Sequence, residues 1–410
     1  GLAREEEALA ELLPARQAQA SVYSFNLTQQ RVGRQPWKPD VPSRAIGKVG
    51  VIGAGLMGAQ LGALFLQRTE LPLVMKDIDE AVLEKARSHI EGALDERVAK
   101  GRMSAGKAAF LKSLVSYSTE DGALQGADFV IEAVLESVAL KQKIFGALEE
   151  VVTPSCVFAT NTSSLSVTEI ASPLKHPERV VGFHFFNPVK VLPLVELVRG
   201  GQTDDATFAT AFDVSSKLGK SAVACSDAPA FVVNRLLTRF LAPCFEAASA
   251  GTSFETIDRA IEALGMPMGP FKLIGLVGPK IAIHTAESLQ AAFPERFGTD
   301  ENLKRLADSG LPGVYGFDGE INEEARALWE TRDAAWSDEE VRQAALRAVA
   351  DEAKRLLDEG VVADARDIDT CMILGAGWPF FMGGICMYLD QTGLSQELFD
   401  RRLVGARDLA

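Results

Sequence analysis

The sequence lacks any apolar stretch near the 18 residues that a bilayer-spanning helix requires, because Lys, Arg, Asp or Pro interrupts each one earlier. It also lacks the cationic patch and apolar core of a secretory signal, with Arg4-Glu5-Glu6-Glu7 standing in that place. Basic residues are in deficit: 42 Lys and Arg face 56 Asp and Glu, a formal net charge of −14. No basic block is long enough to serve as a nucleic-acid tail, so neither nucleic acid nor a membrane span is expected. Cysteine is sparse, with Cys156, Cys225, Cys244, Cys371 and Cys386 odd in number, scattered and free of CxxC spacing. That excludes a disulfide framework; the five read as reduced core residues, and no metal site is expected. What remains is ample: 410 residues, 47% of them hydrophobic, enough for roughly two to three domains. Hormones, disulfide miniproteins and single small binding modules are thereby excluded.

From Glu5 to about Arg31 the pattern is helical and polar, until Gly33, Pro36, Pro39 and Pro42 break it. This reads as a tether without a core of its own, and the start at Gly1 as a processed chain or a piece of a longer one. Between Lys48 and about Ser226 the strand-like runs KVGVIG, LPLVMKD, ADFVIEAV, CVFAT and RVVGF alternate with amphipathic segments. Such alternation predicts a parallel α/β sheet. Ile78 to Ser113 exceeds a minimal crossover and reads as a helical hairpin projecting from the sheet. After Asp227-Ala228-Pro229 helices dominate, with a weak repeat: Leu241 to Gly278 and Leu346 to Gly393 each run helix, acidic turn, helix and a Gly/Pro-rich apolar stretch. Two such units are expected to pack as a pseudo-dimer, since neither covers its own apolar face. Thr299 to about Asp338 reads as charged and loop-rich.

Gly53-Ala54-Gly55-Leu56-Met57-Gly58 follows the strand VGVIG and opens a helix. Gly53 suits a tight turn, Gly55 a close backbone approach to a pyrophosphate, and Gly58 close helix–strand packing. The helix N-terminus supplies donors and a positive dipole end. Asp77 ends the second strand about 20 residues on, where a carboxylate bonds both ribose hydroxyls and repels a 2′-phosphate, favouring NAD over NADP. Glycine-rich turns also serve FAD or purely steric needs, so the turn alone is weak evidence.

Gly182-Phe183-His184-Phe185-Phe186-Asn187-Pro188 holds one of only four histidines, and Glu196 lies twelve residues further along in LPLVELV. A histidine among aromatics is often a satisfied core residue. A carboxylate in an apolar segment, however, needs a partner, and a His–Glu pair would fix the imidazole tautomer for proton transfer. Asn161-Thr162-Ser163-Ser164-Leu165 follows CVFAT; it reads either as an ordinary helix cap or as polar groups where doubly wound folds bind ligands, with Ser163 on a substrate oxygen. Asn234, in APAFVVNRLL, sits within an apolar helix and calls for a polar partner.

Together, IGAGLMG, IEAVLE, NTSSLSVTEIA, GFHFFNPVKVLPLVEL and APAFVVNRLL resemble, in order, the motifs of the L-3-hydroxyacyl-CoA dehydrogenase family, in the form that is the dehydrogenase part of multifunctional fatty-acid β-oxidation proteins. The resemblance implies an α/β Rossmann-type NAD-binding domain followed by mostly α-helical tandem C-terminal domains. It divides the chain into a linker helix and tether (1–45), a Rossmann domain (46–228) and two helical domains (229–325 and 326–410). It implies NAD-dependent oxidation of an L-3-hydroxyacyl-CoA to a 3-ketoacyl-CoA, with His184 as base, Glu196 as its partner, and Ser163 and Asn234 at the substrate oxygen. NAD contacts are implied for Gly53, Gly55, Leu56, Met57, Gly58, Asp77, Glu132, Lys141 and Asn187, and an acyl-CoA contact for Tyr388. A cytoplasmic, bacterial setting, a preceding enoyl-CoA hydratase domain and a thiolase partner are implied as well. Two stretches depart from the family pattern: FKLIGLVGPK, within Pro270 to Lys280, lacks its acidic residues, and Gly313-Val314-Tyr315-Gly316-Phe317 replaces its KGFY-like segment. Both bear on substrate fit and helical assembly. Two other readings stay open from the residues: a dehydrogenase of free hydroxy acids, and a non-enzymatic NAD-binding relative.

Overall fold

A computed structural model describes residues 4, 10, 15–316 and 318–405. Most of the leading segment before residue 15, and Phe317, lie outside the described residues. The chain forms two compact units, one of residues 32–228 and the other of the described parts of 1–31 and 229–410.

The first unit is built on one sheet of eight strands: β1 (Val49–Ile52), β2 (Leu73–Lys76), β3 (Val115–Ser118), β4 (Phe129–Glu132), β5 (Val157–Thr160), β6 (Val180–Phe185), β7 (Leu194–Arg199) and β8 (Ser221–Ser226). Their order is β3-β2-β1-β4-β5-β6-β7-β8. The strands β3 through β6 run parallel, as expected. The sheet is nonetheless mixed, because β7 returns antiparallel to β6 and β8 runs parallel to β7. In β1, β2, β4 and β5 every residue is buried, which is why these strands read as continuous apolar runs: helices cover both faces.

On one face, Phe65, Ile90, Leu111 and Phe212 from four helices (Leu56–Thr69, Glu80–Ala99, Ala105–Leu114 and Asp205–Lys217) pack with Phe129, Phe183 and Phe185 of the sheet. On another, Phe145 of the helix Val138–Leu148 meets Phe158 of β5 with ring centroids 4.9 Å apart. The charged stretch after β2 is indeed a helical hairpin, but it does not project. Leu83, Ala86, Ile90, Leu94, Ala108 and Leu111 join the sheet's core, leaving the charges on the outer surface.

In the second unit the repeat appears as corresponding helices: Val233–Ser249, Phe254–Glu262 and Pro270–Val277 in one copy, Asp338–Asp358, Ala365–Gly375 and Ile385–Thr392 in the other. The two long helices are tied by Arg235, which is fully buried and paired with the equally buried Glu352, and which also reaches Glu359 at 2.6 Å. Each copy holds a buried aspartate at the same place. Asp258 accepts from Phe271 N at 2.9 Å, at the start of its copy's third helix. Asp369 accepts from Cys386 N at 2.6 Å and Met387 N at 3.2 Å, at the start of the other. The loop-rich stretch after Thr299 contains, among the described residues, the helices Glu301–Ser309 and Glu323–Ala327.

The leading segment is no bare tether. Its helix Arg16–Phe25 continues through a wider π-turn, Asn26–Arg31, and buries Ala20, Tyr23 and Leu27 in the helical unit. Tyr23 donates its hydroxyl to Asp369 at 3.0 Å, and Arg31 pairs with Asp367 at 2.7 Å and Asp364 at 3.0 Å. A ten-residue helix is too short to persist alone in water, so this docking is what stabilises it. A polar helix with three inward residues offers little hydrophobic periodicity to read, which explains the mistaken expectation.

Candidate active site

The expected site residues of the sheet unit gather where β1, β2, β4, β5 and β6 end, the usual ligand-binding edge of a doubly wound sheet. At β1, Gly53 turns with φ 88°. A Cβ on Gly58 would lie 1.7 Å from the Gly53 carbonyl oxygen, so the helix can approach the strand only with glycine there. A Cβ on Gly55 would meet nothing within 4 Å. Its missing side chain therefore serves no internal packing and leaves open space before the helix Leu56–Thr69, whose N-terminus no side chain caps and whose Leu56 is exposed. The half-buried Asp77, just past β2, accepts from Ala54 N at 2.7 Å and Asp79 N at 3.2 Å, fixing its carboxylate against the turn. An open glycine cradle on a helix N-terminus with an adjacent fixed carboxylate suits a pyrophosphate and a ribose diol, the parts of NAD.

At β6 and β7 the twelve-residue spacing acquires its reason. In the antiparallel register His184 lies directly opposite Glu196. Phe183, Phe185, Val195 and Leu197 alternate into the core cluster, which sends His184 and Glu196 to the other face of the sheet. Nδ1 of His184 is 2.6 Å from Oε2 of Glu196; the imidazole is 4% exposed and the carboxylate not at all. Phe186 packs on the imidazole with centroids 4.4 Å apart.

At β4 and β5, Glu132 is enclosed. Lys141 donates to both of its oxygens at 2.8 and 2.9 Å, and Thr160 and Val134 N add bonds of 2.8 and 2.6 Å. The structure thus brings Glu132 and Lys141 to each other beneath the site's surface. What lies between this pair and the loop after β5 is Glu136, a residue the sequence reading passed over. Its Oε2 is 3.1 Å from Lys141 Nζ, while its Oε1 accepts from Thr162 Oγ1 at 2.8 Å, Ser163 N at 2.6 Å and Ser163 Oγ at 3.0 Å. Burial acts to raise the Glu136 carboxyl; Lys141 and the bonds from Ser163 and Thr162 outweigh it and hold the group below its ordinary range. The signal available in the sequence was a second glutamate in IEAVLE, five residues before Lys141.

Ser163 is not the helix cap that one reading allowed. Ser166 caps the helix Val167–Ala171 by accepting from Glu169 N at 3.1 Å, with Asp227 accepting from Val167 N, Thr168 N and Ser166 Oγ. Asn161 turns inward, accepting from Phe185 N at 2.9 Å and so tying the loop after β5 to the histidine strand. Asn187 follows β6 and is exposed, its Oδ1 accepting from Gln60 Nε2 at 3.1 Å. Asn234 and Tyr388 belong to the helical unit. Asn234 stands in the first turn of the helix Val233–Ser249 rather than mid-helix, half-buried, three residues after Phe231, which with Ala230 has left-handed φ of 53° and 57°. Tyr388 is half-buried with its ring edge-on to Trp378 at 6.0 Å.

Residues 48–228 match the family description "3-hydroxyacyl-CoA dehydrogenase, NAD binding domain", and residues 231–319 match "3-hydroxyacyl-CoA dehydrogenase, C-terminal domain". The crystal structure of FadB2 of M. tuberculosis is 37% identical, covering 68% of this chain and 98% of that one at a TM-score of 0.63. The chain belongs to the 3-hydroxyacyl-CoA dehydrogenase family. Within the family it is also similar to the 3-hydroxybutyryl-CoA dehydrogenase of Escherichia coli, at 26% identity over 89% of this chain and 98% of that one, with a TM-score of 0.74. The fatty acid oxidation complex subunit alpha of Psychrobacter arcticus is 32% identical over 405 residues, 93% of this chain and 56% of that protein. The chain therefore spans little more than half the length of that relative. Among the described residues of this family member no helix is long and apolar enough to cross a membrane, no His, Cys, Asp and Glu group is arranged to hold a metal, and all five cysteines are buried and unbridged.

Proposed function

We propose that this chain oxidises the 3-hydroxyl of an L-3-hydroxyacyl-CoA to a 3-keto group, with His184 as the base and Glu196 as its positioning partner. The observation that supports this reading is the enclosed His184–Glu196 pair at the edge of the sheet that carries the glycine turn. A neutral imidazole that gives its Nδ1–H to Glu196 carries its basic lone pair on Nε2. Nε2 takes the hydroxyl proton, and the imidazolium so formed is held against a carboxylate that is already desolvated. The glycine turn from Gly53 to Gly58 would hold NAD, which would supply the hydride acceptor for C3. Ser163, whose hydroxyl donates to Glu136, is assigned to the substrate oxygen. Asp77 takes the ribose diol and disfavours a 2′-phosphate, Glu132 and Lys141 support the floor of the cofactor site through Glu136, and Asn187 contacts the cofactor.

Asn234 and Tyr388 are assigned to the substrate from the helical unit. The boundaries 46–228, 229–325 and 326–410 are retained for the three domains, with 1–45 as a linker whose Tyr23 and Arg31 bond to the last. A cytoplasmic setting, a companion enoyl-CoA hydratase domain and a thiolase partner complete the reading; the name of the P. arcticus relative supports a place in fatty-acid oxidation.

The test follows NADH absorbance with L-3-hydroxybutyryl-CoA and longer L-3-hydroxyacyl-CoAs, with D isomers and free 3-hydroxy acids as controls. Only the L-thioesters should give NADH. His184→Gln should lower kcat by about 10²–10⁴ with NADH binding retained; an unchanged kcat would remove His184 from the base role.

A further inference from the structure

Gln60 lies one turn into the helix opened by the glycine turn and is half-buried. Its side-chain amide uses both of its polar atoms on the eight-residue connection between β6 and β7, the loop that joins His184 to Glu196. Oε1 accepts from the backbone N–H of Val189 at 2.8 Å, and Nε2 donates to Oδ1 of Asn187 at 3.1 Å. The direction of this relay is forced. A backbone N–H can only donate, so the Gln60 oxygen must face Val189; the Gln60 nitrogen must then face Asn187, and Asn187 must answer with its oxygen. The exposed Asn187 is left presenting its Nδ2–H₂ group outward.

The rest of the loop is anchored separately. Lys220 donates its ammonium to the carbonyl oxygens of Val189 and of Leu192, the latter at 2.6 Å, and Ser221 N donates to Pro193 O at 2.8 Å. Val189 is itself buried in the sheet's core cluster. The backbone of the loop therefore does not depend on Gln60 alone. What depends on Gln60 is the polarity of the Asn187 side chain.

We propose that Gln60 is a positioning residue that fixes Asn187 as a hydrogen-bond donor toward the carboxamide oxygen of the nicotinamide. The proposal rests on the NAD reading above. An asparagine released from Gln60 can turn its amide over at little cost, presenting oxygen to oxygen for part of the time. The contribution is therefore specific to the nicotinamide end of the cofactor and absent for its adenosine diphosphoribose part.

The experiment measures dissociation constants for NADH and for ADP-ribose by calorimetry, using the full chain. Gln60→Met preserves helix propensity and bulk while removing both bonds. Gln60→Glu keeps the acceptor for Val189 and loses the donor for Asn187, so a folded form of either variant suffices, and thermal denaturation reports folding. Both variants should raise the NADH constant, relative to that for ADP-ribose, about three- to tenfold, the range for one neutral hydrogen bond. In an Asn187→Ala background Gln60→Met should have no further effect on that ratio. An unchanged ratio, or an effect that persists in the Asn187→Ala background, overturns the assignment of Gln60 alone. Absence of NADH binding by the unaltered chain overturns the NAD reading, and this one with it.

Discussion

Replacing Glu196 by Gln isolates one charge. The two side chains are nearly the same size, the site is closed to solvent, and a Gln oxygen can still accept from Nδ1, so the geometry of His184 is preserved. What is lost is the carboxylate's attraction for the imidazolium. With Nδ1 and Oε2 2.6 Å apart, the charge centres lie about 4 Å apart, worth about 4 kcal/mol at an effective dielectric of roughly 20. The neutral hydrogen bond that survives restores about 1 kcal/mol. The net loss of about 3 kcal/mol arises only once the ring is protonated, so it falls on the chemical step and lowers kcat by roughly 10²-fold. Stopped-flow and steady-state measurement of NADH formation would separate this from binding: kcat falls, while the NAD and acyl-CoA KM values and the melting temperature stay close to those of the unaltered chain. A kcat within about threefold of the unaltered chain, or a loss carried mainly by KM, would show that Glu196 only fills its place in β7 and that the charge argument is wrong.

Alanine at two glycines of the same turn should act in opposite ways. Gly58→Ala forces a Cβ to 1.7 Å from backbone and should destabilise the sheet unit by about 1–3 kcal/mol or more, read as a lowered denaturation midpoint. Gly55→Ala finds open space, so its midpoint should hold while calorimetry shows weakened NADH binding; the reverse pattern would discredit the cradle. In the helical unit, burial pushes the Asp369 carboxyl up to about 8, against the pull of Cys386 N, Tyr23 and Met387 N. An unfolded Asp titrates near about 3.9, so between these values the folded chain holds a proton that the unfolded chain has lost, and stability falls as pH rises from about 4 to about 8 before levelling. Asp369→Asn should flatten that slope in urea titrations across the window; parallel slopes for the two proteins would remove Asp369 as its cause. Tyr23→Phe should cost about 1–3 kcal/mol by leaving the buried Asp369 with one donor fewer, detectable in the same titrations; no loss would mean that the leading helix docks by its apolar residues alone.

Local chemistry explains why much of the sheet unit was legible. The turn from Gly53 to Gly58 specifies itself, because a steric clash and a tight φ are properties of neighbours in the chain. The runs around β1, β2, β4, β5 and β6 are mostly apolar, because a strand covered on both faces needs few polar residues, and Lys76, Glu132, Thr160 and His184 stand at or near the strand ends. By contrast, β3 is only partly buried and β8 carries alternating small residues, so neither leaves a strong pattern. The antiparallel return of β7 has no local signature either, since the same six residues pair equally well in either direction. Glu136 and Gln60 were missed for a related reason. Each looks like an ordinary polar residue of a loop or helix until its partners, 26 or more positions away for Thr162, Ser163, Asn187 and Val189, are brought to it.

From residue order alone came the α/β class, the helical second half, the glycine turn with Asp77, and the pairing of His184 with Glu196 as chemistry that each residue type demands. Tertiary structure decided what depends on distance through space. The register of β6 and β7 sets His184 opposite Glu196, Lys141 closes on Glu132 and turns Glu136 toward Ser163, and a helix from the start of the chain is stabilised only by a unit built some 200 residues later. Propensity and pattern act between near neighbours, whereas hydrogen bonds and burial reward any groups that the fold brings together, however far apart they stand in the chain.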